Sequence, residues 1–215
     1  MKATGEGMSI ADNFEMALMK AVIGSEISLD TLNVPKFEAR DMESLWDHGT
    51  RPNDERIFAV YELLKRGITI DEIHARNMID RWFLAKFVNL IEYEKELKNG
   101  NLTQELYTKG KKLGYPDAAI KRISGCDIKF ERKTTYKMVD TCAGEFEANT
   151  PYFYATYDTE ESGGEDEALE FANKSDKKTI MVLGSGPIRI GQGIEFDYAS
   201  VHCVFSLQEL GYDVV

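Results

Sequence analysis

Apolar positions recur at helical spacing through most of the N-terminal two-thirds of the chain. Phe14, Ala17, Leu18 and Ala21 share one face of a predicted helix that Asp12 or Asn13 caps and Gly24 stops. Residues 25–36 read as a connector, marked by Pro35. A short helix is predicted from Glu38 to Trp46, ending at Gly49. Asn53, after Pro52, caps a segment in which Ile57, Val60, Tyr61 and Leu64 form an apolar stripe, with Lys65 and Arg66 in its last turn and Gly67 as the stop. Thr69 and Glu72 have the spacing of a capping box that opens a brief helix through His74. Asn77 caps the longest helix, which runs to about Leu97. Its stripe is Ile79, Trp82, Phe83, Phe87, Leu90 and Ile91, widened by Leu84 and Val88, which makes it the central member of a bundle. Helices from Thr103 to Leu113, from Pro116 to Ile123 and from Asp127 to about Lys133 complete a compact all-α unit.

The period then changes. Thr134 to Val139 and Tyr152 to Tyr157 are rich in aromatic and β-branched residues and read as extended, with one helical turn from Cys142 to Ala148 between them. The aromatic cluster Tyr152, Phe153, Tyr154 and Tyr157 lacks the basic neighbours that base stacking needs, so packing against the bundle is its expected role. Residues 158–178 are acidic and glycine-broken around a single Ala-Leu-Glu-Phe knot, as in a linker. A β-branched run from Thr179 to Leu183 empties into a glycine-rich loop, an apolar-periodic segment follows, and a second strand begins at Tyr212. The fold class is therefore mainly α: a helical bundle followed by a truncated, Rossmann-like α/β unit. A clipped strand cannot close a parallel sheet alone. Either it pairs upstream, or the polypeptide is a piece of a longer protein.

Charge and composition narrow the chemistry. A formal net charge of −11 over 215 residues, with no basic stripe, argues against a nucleic-acid surface. Cys126, Cys142 and Cys203 are far apart and in no CxxC pairing, so neither a disulfide framework nor a zinc site is expected. His48, His74 and His202 are equally scattered, and no metal site is predicted. No run approaches the ~20 apolar residues of a membrane span, and no signal peptide is legible, which makes the cytoplasm the default.

Candidate chemistry concentrates in the loop from Gly184 to Gly193. Glycines there let a ligand approach the backbone, and the start of the next helix favours an anion. A dinucleotide fingerprint would need glycine where Arg189 stands; a Walker loop would need lysine where Gln192 stands. Both patterns fail at a residue that carries mechanism. Glu195 and Asp197 suit the helix dipole but would repel a bound phosphate. The residues alone leave two readings: a site for a small neutral or singly charged species between Arg189 and Glu195, or a tight turn with an acidic helix cap.

The stretch GSGPIRIGQGIEFDY, Gly184 to Tyr198, strongly resembles the opening of the second synthetase half of the carbamoyl-phosphate synthase large chain. IDRWFL at Ile79 to Leu84, YKMVDTCAGEFEANTPYFYATY at Tyr136 to Tyr157 and MKATGEGM at Met1 to Met8 resemble segments of the same family in the same order. The resemblance implies that residues 1–24 are the tail of the first synthetase half, residues 25–176 a helical oligomerisation domain with its exit segment and acidic linker, and residues 177–215 the first strand, loop and helix of the second half, the pre-ATP-grasp unit.

That family makes carbamoyl phosphate from bicarbonate, ammonia and two ATP, with Mg²⁺ or Mn²⁺. The ammonia usually comes from glutamine hydrolysed by a separate small subunit. The resemblance further implies a homo-oligomer, no nucleic-acid or membrane partner, and no catalytic residue within this stretch, so that the piece alone is expected to be inactive. Gly184, Gly186, Arg189, Gly191, Gly193 and Glu195 match the loop that helps wall the passage for unstable carbamate. The competing reading from the residues alone is a nucleotide-binding Rossmann-type domain fused to a helical interaction module.

Overall fold

Asn13 has extended backbone, and its Oδ1 accepts from the Met16 amide at 2.8 Å, so helix α1 (Phe14–Gly24) begins immediately after it. The computed structural model describes residues 7–147, 152–157, 166–173, 175–183 and 195–215, without the side chains of residues 173 and 195–197. These fall into two units, one spanning Asn13–Glu131 and one combining the N-terminal residues through Asp12 with Arg132–Val215.

The first unit is entirely helical among its described residues. After α1 come α2 (Pro35–Glu38), α3 (Met42–Thr50), α4 (Arg56–Lys65), α5 (Ile70–Asn77), α6 (Arg81–Lys98), α7 (Gln104–Lys112) and α8 (Asp117–Ser124). The longest, α6, touches α1, α4, α5 and α8, which confirms it as the centre of the bundle. Leu84, Leu90 and Leu97 on α6 are fully buried with Met19, Leu32, Phe37, Leu45, Leu63 and Ile120. Each such side chain contributes about 1.5–3 kcal/mol relative to exposure, and together they hold the helices in one core.

Several helix ends depart from the expected ones. Asn77 closes α5 instead of opening α6; Met78 takes a left-handed conformation there, and Asp80 caps α6 by accepting from the Trp82 amide at 2.7 Å. Asn53 forms a turn rather than a cap, accepting from the Glu55 amide at 2.9 Å and donating to the His48 and Arg51 carbonyls. The predicted helix from Glu38 to Trp46 starts late: α2 ends at Glu38, having opened at Pro35 within the predicted connector, and the helix resumes only at Met42 as α3. Asp41 breaks the run because its carboxylate accepts from the Ser44 amide and starts α3 afresh. Gly49 lies inside α3, not beyond it. A Cβ there would meet Leu63 Cδ1 at 3.0 Å, so the glycine permits close packing of α3 on α4. The predicted helix from Asp127 to Lys133 does not form. Ile128 and Phe130, two residues apart, both pack on the core, an alternation that suits an extended segment.

Two apolar stripes were only partly legible. In α1 the buried residues are Glu15, Met16, Met19 and Val22, while Phe14, Ala17, Leu18 and Ala21 are half-buried. The helix is apolar on nearly every face, so its period does not select one. In α6, Phe87, Leu90 and Ile91 are buried, but Trp82 and Phe83 are 52% and 42% exposed. Their rings lie 5.0 Å apart, and each is 5.3 Å from Phe14.

In the second unit, β1 (Thr135–Met138) pairs antiparallel with β2 (Phe153–Thr156), Thr135 opposite Thr156 and Met138 opposite Phe153. The Ala-Leu-Glu-Phe knot forms α9 (Glu167–Asn173), which packs on β1. Asp166 Oδ1 accepts from the Leu169 amide to open this helix, and Phe171 lies 6.0 Å from Phe153 across it. The segment after Cys142 makes a turn, with Glu145 N donating to the Cys142 carbonyl, and Ala143 and Gly144 at positive φ prevent it from continuing as a helix. Finally β3 (Thr179–Ile180) and β4 (Asp213–Val214) pair in parallel, joined through α10 (Glu195–Glu209). The clipped strand therefore does pair upstream.

Candidate functional site

The register of β3 and β4 places the ends of the glycine-rich loop. Thr179 lies opposite Asp213 and Ile180 opposite Val214, and Val182 N donates to the Val215 carbonyl at 2.8 Å, extending the pairing past β3. The loop leaves the carboxyl end of β3 and enters the N-terminus of α10. In open α/β sheets this is the end at which ligands bind. Gly184, Gly186, Arg189, Gly191 and Gly193 lie outside the described residues. Glu195 is the first residue of α10, and its side chain is outside the description as well. The structure thus frames the candidate loop by its strand and helix.

Beyond the loop, α10 exposes apolar side chains. Tyr198, Val201 and Phe205 are exposed, as are Leu210 just after the helix and Met181 and Leu183 beside β3. The His202 ring lies 4.0 Å from Tyr198 and 6.1 Å from Phe205, making a continuous aromatic strip along the helix. Cys203 is exposed, Cys126 and Cys142 are half-buried, and all three are free.

A second polar constellation ties the N-terminal segment to the β1–β2 hairpin. Asp12 accepts from Tyr154 Oη at 2.9 Å and from Thr156 Oγ1, and Lys137 Nζ lies 3.5 Å from it. Partial burial opposes ionisation of Asp12, but the two hydroxyl hydrogen bonds and the Lys137 charge outweigh it and hold the carboxyl below its usual range. Sequence reading missed this cluster because its members are about 140 residues apart and no spacing joins them. Met138, Asp140, Phe146, Glu147, Glu167, Glu170 and Phe171 line a surface depression of about 430 Å³ on the same unit. Its carboxylates include engaged ones: Glu167 accepts from the Met138 amide, and Asp140 accepts from the Cys142 amide at 3.0 Å.

On the helical unit the buried polar centre is Glu94, which is 3% exposed. It accepts from Tyr61 Oη at 3.1 Å, Tyr115 Oη at 3.0 Å and Asn33 Nδ2 at 2.8 Å. Burial first, then the Glu94 charge and hydrogen bond, push the Tyr61 phenol far above its usual range. Tyr115 is raised in the same direction by burial, Tyr61 and Glu94. Both phenols therefore stay neutral donors. The signal was present in the sequence: Glu94 sits in the apolar register Phe87, Leu90, Ile91, Glu94, Leu97, where a charge needs partners. The cluster can hold helices together, and it offers no open face to a substrate.

Among the described residues, no group of three or more His, Cys, Asp or Glu side chains is placed to hold a metal ion, and no helix is long and apolar enough to cross a membrane. A second surface depression, of about 600 Å³, runs along α3 and is lined by Asp41, Glu43, Ser44, Trp46, Asp47, Thr50 and Arg51. The stacking of Arg76 over Trp46, at 3.9 Å, orders the apolar residue in that lining.

Comparison with known proteins supplies the context for these two units. The family described as carbamoyl-phosphate synthetase large chain, oligomerisation domain, matches residues 6–138. The carbamoyl phosphate synthase preATP-grasp domain matches residues 176–215, the stretch that contains β3, the glycine-rich loop, α10 and β4. A curated relative, the carbamoyl phosphate synthase large chain of Methanothrix thermoacetophila, is 44% identical over 223 residues, covering 99% of this chain and 20% of the relative. The chain thus spans about one fifth of the length of that relative. With the oligomerisation domain and the pre-ATP-grasp domain matched in succession, the chain belongs to the carbamoyl-phosphate synthase large-chain family.

Proposed function

We propose that this chain is the internal segment of a carbamoyl-phosphate synthase that joins two ATP-grasp synthetase halves and mediates self-association. The observation that carries the reading is the order of the two family matches, with an oligomerisation domain at residues 6–138 followed at residue 176 by the opening of a pre-ATP-grasp domain. The expected division at residue 24 moves toward the N-terminus, because the oligomerisation match begins at residue 6 and α1 packs on α6; the exit segment and acidic linker run on to residue 176, and residues 177–215 begin the carbamate-phosphorylating half. The whole protein makes carbamoyl phosphate from bicarbonate, ammonia and two ATP in the cytoplasm. A glutamine-hydrolysing small subunit supplies the ammonia, and Mg²⁺ or Mn²⁺ supports the phosphoryl transfers. The ATP and metal sites belong to the parts of the ATP-grasp folds outside this stretch, so the 215-residue chain has no activity of its own.

Gly184, Gly186, Arg189, Gly191, Gly193 and Glu195 form part of the inner wall of the second half. The guanidinium of Arg189 holds an anion, and the carboxylate of Glu195 orients or repels one. This assignment is supported by the loop's place at the carboxyl end of β3 and the start of α10. It also accounts for the exposed strip on α10, which the remainder of that half would cover.

Light scattering on the purified chain tests the main reading. A mass of at least twice 24.4 kDa, with no thermal shift on adding ATP and Mg²⁺, is expected. A strictly monomeric chain that ATP stabilises would overturn it. The loop assignment is tested separately in the complete enzyme: Arg189→Ala and Glu195→Ala should reduce the yield of carbamoyl phosphate per ammonia supplied. Unchanged coupling would remove that role.

A further inference from the structure

We draw no further inference here: the strongest candidate, the half-exposed Phe14–Trp82–Phe83 aromatic cluster where α1 meets the first turn of α6, carries nothing because no observation in the structure shows what covers it.

Discussion

The hydroxyl of Tyr93 occupies the space in which a side chain on Gly110 would begin. An ideal Cβ at Gly110 would stand 1.9 Å from Tyr93 Oη and 2.6 Å from Cζ, with Ile120 Cδ1 at 3.1 Å. Three helices, α6, α7 and α8, converge at this point. Gly110→Ala is expected to destabilise the helical unit by about 3 kcal/mol, because both neighbouring residues, Tyr93 and Ile120, are fully buried in the core. The shift in urea midpoint measures it. Tyr93 Oη has no hydrogen-bond partner among the described residues, so Tyr93→Phe by itself should change stability by less than about 1 kcal/mol. A large loss in Tyr93→Phe would show that the hydroxyl has a partner after all.

Glu94 should behave oppositely. Its removal in Glu94→Ala takes the carboxylate acceptor from the buried phenols of Tyr61 and Tyr115 and from the half-buried Asn33 amide, leaving Tyr115 only a long 3.4 Å contact to the Leu90 carbonyl; a buried donor left unpaired costs about 1–3 kcal/mol. A loss of several kcal/mol is expected, with Tyr61→Phe and Tyr115→Phe each costing far less alone. Combining Glu94→Ala with both Phe substitutions should recover part of the loss, since the unpaired phenols are then gone. Strict additivity of the three changes in chemical denaturation would show that they do not share one network.

Acid should loosen the hairpin through Asp12. Its folded-state pKa is depressed, so the stabilisation is present above the ordinary carboxylate range and is lost as pH falls through the lower, folded value. Amide exchange at Val139, which donates to the Tyr152 carbonyl, reports it after correction for intrinsic rates. Protection should fall below about pH 4 in the unmodified chain. In Asp12→Asn it should already be lower at neutral pH and should vary less with acid. Equal profiles in the two proteins would remove Asp12 as the tether.

The element types were legible wherever one residue decides a local conformation. Thr69 and Glu72 form their capping box, and Gly125 ends α8 in a left-handed conformation, because both effects act within one turn. The strand and helix that flank the glycine-rich stretch were legible from their residue pattern, and the motif was specific enough to point to the family. Helix starts were less secure. Asn53, Asn77, Asp41 and Asp80 can all cap by chemistry, and only the surrounding packing selects Asp41 and Asp80.

What the sequence by itself determined is the all-α character of residues 13–131, the centrality of α6, the change of pattern after it and the family. Tertiary structure alone decided which face of α1 is buried, that Trp82 and Phe83 stay half-exposed, and that Asp12 binds a hairpin about 140 residues away. Period and capping are local consequences of backbone geometry. Burial and long-range hydrogen bonds depend on what the folded chain brings opposite a residue, and no spacing along the chain encodes that.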